Sequence, residues 1–317
     1  MTESGMATIV AEGAEQRYRR ADETLWGEHG LDPSERFLEL EAPRARLRVL
    51  EIGSGSPVIF VHGTAGPGAW PSLIQQLPGI RSIVVERPGW GLSSPIDFSR
   101  STYDRLTTDL MTGVMNALDL ERADVVGASI GNVWALRLAA AQPSRVGRVV
   151  LLGGAPIVDA AEPPRIIRMI ASPLGALMVR LPPRRGMELK QIRQNGHGAS
   201  LDAGRFPESF VTWRLAMAQE TKSMHHERSM VQAILGGGKW RNGLTFDEAS
   251  LGAIRQPTLH LWGTADPVGD AATWDRLAAT LPAGELRRVE GAGHTPWLDE
   301  PQLVGGIIRD FLRGSGR

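Results

Sequence analysis

The sequence predicts an α/β protein: a mostly parallel, doubly wound sheet that carries an inserted all-helical cap. Three observations lead there. The short apolar run at 58–61 reads as a strand buried on both faces, and 82–86, 124–128 and 146–152 read as further strands. These runs alternate with helical stretches of roughly 10–15 residues, the rhythm of parallel strands joined by covering helices. The rhythm stops between residues 155 and 247, where only helical patterning is found, and then resumes.

Taken in order, residues 15–26 form a helix whose Leu25 and Trp26 dock on the body. Residues 36–41 and 46–52 alternate apolar and polar, as half-buried strands do. A turn at Gly53-Ser-Gly-Ser-Pro57 leads into the strand at 58–61. A helix over 70–77 and a strand over 82–86 follow. Residues 103–118 place Leu106, Leu110, Val114 and Leu118 at four-residue steps and predict a helix. A strand at 124–128, an Ala-rich helix at 130–141 and a strand at 146–152 complete the first half. Helices are expected at 164–171, 174–181, 186–195, 207–220 and 221–235. The sheet resumes with strands at 258–262 and 285–289 and helices at 271–281 and 301–312. The predicted division is an N-terminal helical extension at 1–33, a core at 34–154 and 248–317, and a helical cap at 155–247.

Composition narrows the function. The 317 residues hold 35 Lys+Arg against 35 Asp+Glu, so no net field draws a polyanion, and nucleic-acid binding is not expected. There is no cysteine, which excludes disulfides, thiolate metal sites and a thiol nucleophile. Only Lys190, Lys222 and Lys239 are lysine, the mark of an arginine-rich bacterial coding bias. No apolar run approaches the roughly 20 residues of a membrane span, and no signal peptide is read at the start. The expected location is cytoplasmic.

Three strand ends carry chemistry. Gly127-Ala128-Ser129-Ile130-Gly131 lies between an apolar strand and a helix. A tight turn there holds the Ser129 hydroxyl over the sheet, and the helix N-terminus faces a developing negative charge. Asp266 follows the strand at 258–262, and His294 sits in Gly291-Ala-Gly-His294-Thr-Pro-Trp297 after the strand at 285–289. All three fall on the sheet edge where open α/β folds bind ligands. A nucleophile, an orienting carboxylate and a base thus come in the order Ser129, Asp266, His294. The Gly-rich loop His62-Gly63-Thr64-Ala65-Gly66-Pro67-Gly68 supplies a second donor, so the backbone N–H groups of Thr64 and Ile130 are the expected oxyanion hole. His62 is an alternative base, and Asp159 an alternative acid. His197, His225 and His226 lack the spacing of a metal centre, so neither metal nor other cofactor is expected.

The chain resembles the α/β-hydrolase fold proteins of the GxSxG serine type over residues 34–313. The resemblance rests on His62-Gly63, Arg87-Pro-Gly-Trp-Gly-Leu-Ser93, the turn at Ser129, Gly263-Thr-Ala-Asp266-Pro-Val268 and His294 with Glu300-Pro301. It implies the α/β-hydrolase fold, a cap inserted after the sixth strand, and catalysis by Ser129, Asp266 and His294. Glu86 stands where the family usually has aspartate and is read as structural. Serine at the elbow departs from the dehalogenase and epoxide-hydrolase branches. The stretch Gly66-Pro-Gly68-Ala-Trp70 resembles hydrolases that cleave carbon–carbon bonds in ring-fission products, but Thr295 follows the histidine where those carry tryptophan.

The main expectation is a serine hydrolase that cleaves an ester, lactone or thioester of a small apolar substrate through an acyl-enzyme on Ser129. The alternatives with the same triad are carbon–carbon hydrolysis, cofactor-free perhydrolysis or haloperoxidation, and lyase chemistry; a ligand-binding receptor without turnover is a further one. Trp70, Trp213 and Trp297 are candidate pocket walls. Residues 155–245 hold 13 Lys/Arg against 7 Asp/Glu, a basic face that is either solvated or turned to an anionic substrate or membrane surface. Ile166, Ile167, Met169, Ile170, Leu174, Leu177 and Met178 are expected to seat the cap on its neighbours.

Overall fold

The computed structural model describes residues 3–99, 102–154, 157, 163, 165–181, 183–241 and 244–314, with the side chains of 3–12, 165 and 166 outside the description. Asp159 lies outside the described residues. The strands are β1 (Ser34–Glu41), β2 (Arg44–Gly53), β3 (Ser56–Val61), β4 (Ile80–Val85), β5 (Ala123–Ala128), β6 (Val146–Leu152), β7 (Leu235–Gly236), β8 (Lys239–Trp240), β9 (Thr258–Gly263) and β10 (Gly284–Val289). Eight of them form one sheet in the order β1-β2-β4-β3-β5-β6-β9-β10. β1 and β2 are antiparallel, and every pairing from β4 to β10 is parallel.

The alternation of side chains along each strand divides the core into two layers. In β3, Ile59 and Val61 join one apolar cluster while Val58 and Phe60 join the other. Helices α3 (Tyr103–Ala117) and α4 (Ile130–Ala141) cover the first face with Leu106, Leu110, Val114, Val133 and Leu138. The second face is covered by α1 (Glu3–Glu28), α2 (Pro71–Ile74), α13 (Pro296–Asp299) and α14 (Pro301–Leu312). Burying each such Leu or Val side chain contributes about 1.5–3 kcal/mol, which fixes the register of the central strands.

Between β6 and β9 lie α5 (Arg165–Ala171), α6 (Pro173–Met178), α7 (Arg185–Ile192), α8 (Gly198–Asp202), α9 (Glu208–Glu220), α10 (Ser223–Ile234) and α11 (Glu248–Gly252). One π turn, Arg193–His197, joins α7 to α8, where the sequence suggests a helix that simply ends. Among the described residues of this segment, the strands are those of the short β7–β8 ribbon. Helix α12 (Ala271–Thr280) connects β9 to β10.

Three expectations are corrected. The N-terminal helix runs from Glu3 to Glu28, not 15–26. The helix expected at 70–77 is only the four residues of α2, preceded by a 3-10 turn at Pro67–Ala69. Ile167 and Ile170 pack on the core, but Leu174, Leu177 and Met178, which share one face of α6 at i, i+3 and i+4, are exposed because that face is turned to solvent. No helix among the described residues is long and apolar enough to cross a membrane.

Candidate active site

The end of β5 and the start of α4 form a sharp turn. Ser129 has φ 53° and ψ −125°, a conformation that L-residues rarely adopt. A serine preceding a helix ordinarily caps it by accepting from an amide of the first turn. Ser129 makes no such bond, so its hydroxyl is left free at the top of the sheet. The turn is pinned from below. The Ser129 amide donates to the Leu152 carbonyl at 2.9 Å, and Asn132 brackets Leu152 with its side chain, donating to the Leu152 and Gly153 carbonyls and accepting from the Leu152 amide. Close packing explains two glycines. A Cβ on Gly131 would lie 2.1 Å from the Val61 carbonyl oxygen, and one on Gly63 would lie 2.5 Å from the Ser129 Cβ.

Asp266 and His294 come together from the ends of β9 and β10. The His294 Nδ1 lies 2.9 and 3.0 Å from the two Asp266 oxygens. Asp266 also accepts from the Gly154 amide at 2.7 Å and the Val268 amide at 2.8 Å, so its position is fixed by four contacts. Burial opposes charge on Asp266, but the His294 ring and the two amides outweigh it and hold the carboxyl below the usual aspartate range. Burial likewise disfavours the charged His294 ring, and the Asp266 carboxylate more than offsets this, raising its pKa above the ordinary 6.5. With Nδ1 committed to Asp266, Nε2 is the nitrogen left for a reacting group.

Ser129 and His294 line one cavity of about 10 Å³, together with His62, Ala69, Trp70 and Trp297. Trp70 and Trp297 are stacked at 5.0 Å, and the Trp297 indole donates to the Ala69 carbonyl. Trp213 is placed differently. Its ring lies against the Gly66–Gly68 turn, where a Cβ on Gly68 would come within 2.4 Å of it, and its indole donates to Asp22 in α1 at 2.9 Å. A second cavity of about 30 Å³ shares His294 and Thr295 and is bounded by Thr64, Glu188 and Arg214. A larger cavity of about 270 Å³ lies near Ser56, Ile80 and Asp124, at the opposite ends of the strands, and is out of reach of Ser129.

Among the described residues, neither the Thr64 nor the Ile130 amide has a hydrogen-bond partner. His62 has both ring nitrogens engaged. Nδ1 donates to the Gly63 carbonyl at 2.8 Å and Nε2 accepts from the Arg87 amide at 3.0 Å. Burial also pushes its pKa well down, so it braces the loop and offers no nitrogen to Ser129. Glu86 is buried and accepts from Tyr18, Arg48 and the Leu92 amide, a structural post as its sequence context suggests.

This strand–turn–helix, with a histidine and a carboxylate from later strand ends, agrees with a match of residues 58–305 to the model of the alpha/beta hydrolase family. The chain belongs to that family. The hydrolase is 26% identical over 278 residues to the 2-hydroxy-6-oxononadienedioate/2-hydroxy-6-oxononatrienedioate hydrolase of Cupriavidus pinatubonensis, covering 84% of this chain and 90% of the relative. It is 28% identical over 286 residues to the 2-hydroxymuconate semialdehyde hydrolase of a Pseudomonas sp., covering 86% and 93%. Among solved structures, the 2-hydroxy-6-oxo-6-phenylhexa-2,4-dienoate hydrolase of a Rhodococcus sp. superposes with a TM-score of 0.70 at 21% identity, covering 89% of this chain and 99% of that one. The naproxen esterase of Bacillus subtilis gives 0.70 at 17% identity, covering 94% and 96%, which bears on the fold alone.

Several residues of the candidate site carry no sequence signal. Glu188, Asn195, His197 and Arg214 all face the second cavity. Helical patterning predicts helices at Glu188 and Arg214 but not that these charges are buried, and it leaves His197 outside any helix. Among the described residues no group of three potential metal ligands is found; His197 is instead bound to Asp299 at 2.7 Å and Thr295 at 2.9 Å.

Proposed function

We propose that this hydrolase cleaves a carbon–carbon bond beside a ketone, in a vinylogous 1,5-diketone, through an acyl-enzyme on Ser129. The observation that carries this reading is similarity over more than four-fifths of the chain to hydrolases of 2-hydroxy-6-oxo dienoates and dienedioates. Such a compound has no ester or amide. Water can split it only at the carbon–carbon bond next to the 6-oxo group.

The residues supply the steps. His294 Nε2 takes the Ser129 proton as Oγ bonds to the ketone carbon, and the carbonyl electron pair moves to oxygen. The Thr64 and Ile130 amides receive that oxyanion, each worth about 3 kcal/mol. Collapse restores the carbonyl and breaks the carbon–carbon bond. In the 2,6-dioxo tautomer, reached when the 2-hydroxy proton is moved to the carbon beside the 6-oxo group, the electron pair is accommodated as a dienolate conjugated to the 2-oxo group, and His294 returns its proton to that leaving fragment. Water, deprotonated by His294, then attacks the Ser129 ester and frees the acid. Asp266 holds the imidazole orientation and stabilises the imidazolium. Ester hydrolysis runs through the same steps with an alkoxide leaving group, and Thr295 in place of a tryptophan is the feature that favours it.

The same reading makes residues 155–247 a cap over the core, with 1–33 a strut between them. Contacts of Trp213 with Asp22 and of Arg214 with the Thr64 carbonyl support it. The test is turnover of a 2-hydroxy-6-oxo dienoate against p-nitrophenyl acetate and butyrate. Dienone turnover exceeding ester turnover supports the proposal, and ester turnover with no dienone cleavage overturns it.

A further inference from the structure

We propose that the cavity beside His294 receives a small, uncharged, hydrogen-bonding end group of the substrate, and that Glu188 sets this preference against a carboxylate. The proposal rests on the reading of Ser129 and His294 as the reaction centre. The cavity is lined by His294 and by Thr64, so a group lying there is next to the proposed base and to the loop of the proposed oxyanion donor.

Arg214 supplies its guanidinium, the group that would ordinarily bind a carboxylate in fork geometry. Here the fork is occupied. Its Nε donates to Glu188 at 2.7 Å and its Nη1 to the Thr64 carbonyl at 2.7 Å. Both side chains are about 95% buried, so neither charge is screened by bulk water. The pair cancels inside the cavity. An entering carboxylate would lose its hydration and meet the Glu188 anion together with the Arg214 cation, so desolvation is not repaid. An amide, ketone or hydroxyl suffers no such penalty. Each can accept from the remaining guanidinium N–H groups, an amide or hydroxyl can also donate to Glu188, and the amide side chains of Gln191 and Asn195 on the same wall offer both donors and acceptors. The relatives are named for 2-hydroxy-6-oxo dienoates and dienedioates, which are anions. This cavity selects the uncharged counterpart.

The experiment compares matched substrates that differ only at the remote end. One pair is a 2-hydroxy-6-oxo dienoate and its primary amide. The other is the p-nitrophenyl ester of succinic acid and that of succinamic acid. In whichever pair turns over, the wild-type enzyme is expected to favour the amide by about tenfold or more in kcat/KM. Glu188→Gln keeps the volume and is expected to shift that ratio toward the carboxylate by about tenfold. Gln191→Lys adds a cation at an exposed position without opening the ion pair, and is expected to shift it the same way, which covers a misfolded Glu188 variant. A wild-type preference for the carboxylate, or a ratio unmoved in both folded variants, overturns the inference. Turnover of the esters alone overturns the carbon–carbon reading while the amide-to-carboxylate ratio still decides this one; turnover of neither pair overturns both.

Discussion

The carbonyl of Asn195 accepts a hydrogen bond from the amide of His294 at 2.9 Å. The π turn between α7 and α8 is thereby stitched to the loop that carries the proposed base. His197 adds a second tie through Thr295 and Asp299. Any outward movement of this turn strains the placement of His294.

Gly196 makes the approach possible. It has φ 89°, and a Cβ there would lie 2.3 Å from the Ala265 carbonyl and 2.9 Å from the Gly293 Cα. Gly196→Ala must push the turn off the loops bearing Asp266 and His294. A displacement of about 1 Å is enough to lower kcat about a hundredfold. Steady-state kinetics on a folded variant check this, and kcat within about twofold of wild type would contradict it.

The pH profile follows from the raised pKa of His294. Proton abstraction needs the neutral ring. Activity is therefore lost as pH falls through the His294 pKa, and the kcat/KM midpoint is expected above 6.5. Asp266→Asn removes the anion that raises this value and leaves the burial that lowers it. The midpoint is expected to move down while kcat drops about 10⁴-fold, the size seen when a triad carboxylate is neutralised. A midpoint that stays in place would detach Asp266 from the titration.

Gly63→Ala tests the packing above the serine. The added methyl would stand 2.5 Å from the Ser129 Cβ and 2.8 Å from the Ala128 carbonyl. Overpacking of this kind costs about 1–3 kcal/mol. Thermal unfolding is expected to show a folded, less stable protein, and turnover is expected to fall at least about a hundredfold.

Helix α1 is held by buried charge. Arg48 bridges Asp22, Glu86 and Glu35, and its own group is driven well above the usual arginine range, burial opposing its charge and the carboxylates more than offsetting this. Arg48→Met leaves Asp22 and Glu86 buried without a cation. A loss of about 3–5 kcal/mol is expected in urea unfolding at neutral pH. Because Asp22 also holds Trp213 against the Gly66–Gly68 turn, KM is expected to rise as well.

The sheet and the three strand-end residues were legible because each residue sits in a short motif soon after a strand, apolar before Ser129 and Asp266 and mixed before His294. Ser129, Asp266 and His294 need only the strand to be found for the side chain to be placed on the right edge. The contacts between segments were not legible. Trp213 read as a pocket wall, since nothing in its helix indicates that Asp22, 191 residues earlier, takes its indole proton. Glu188 and Arg214 look like ordinary helix-surface charges until α7 and α9 are packed together. Leu174, Leu177 and Met178 read as buried by composition, but their exposure depends on where α6 sits, which local patterning does not fix.

The proposed chemistry begins with the reactivity of the Ser129 hydroxyl. Treatment with a fluorophosphonate, followed by intact-mass measurement and peptide mapping, tests it directly. The predicted result is a single adduct on Ser129, absent in Ser129→Ala and formed at least about a hundredfold more slowly in His294→Ala. A folded, active wild-type protein that takes up no label, or takes it up on another residue, would contradict it.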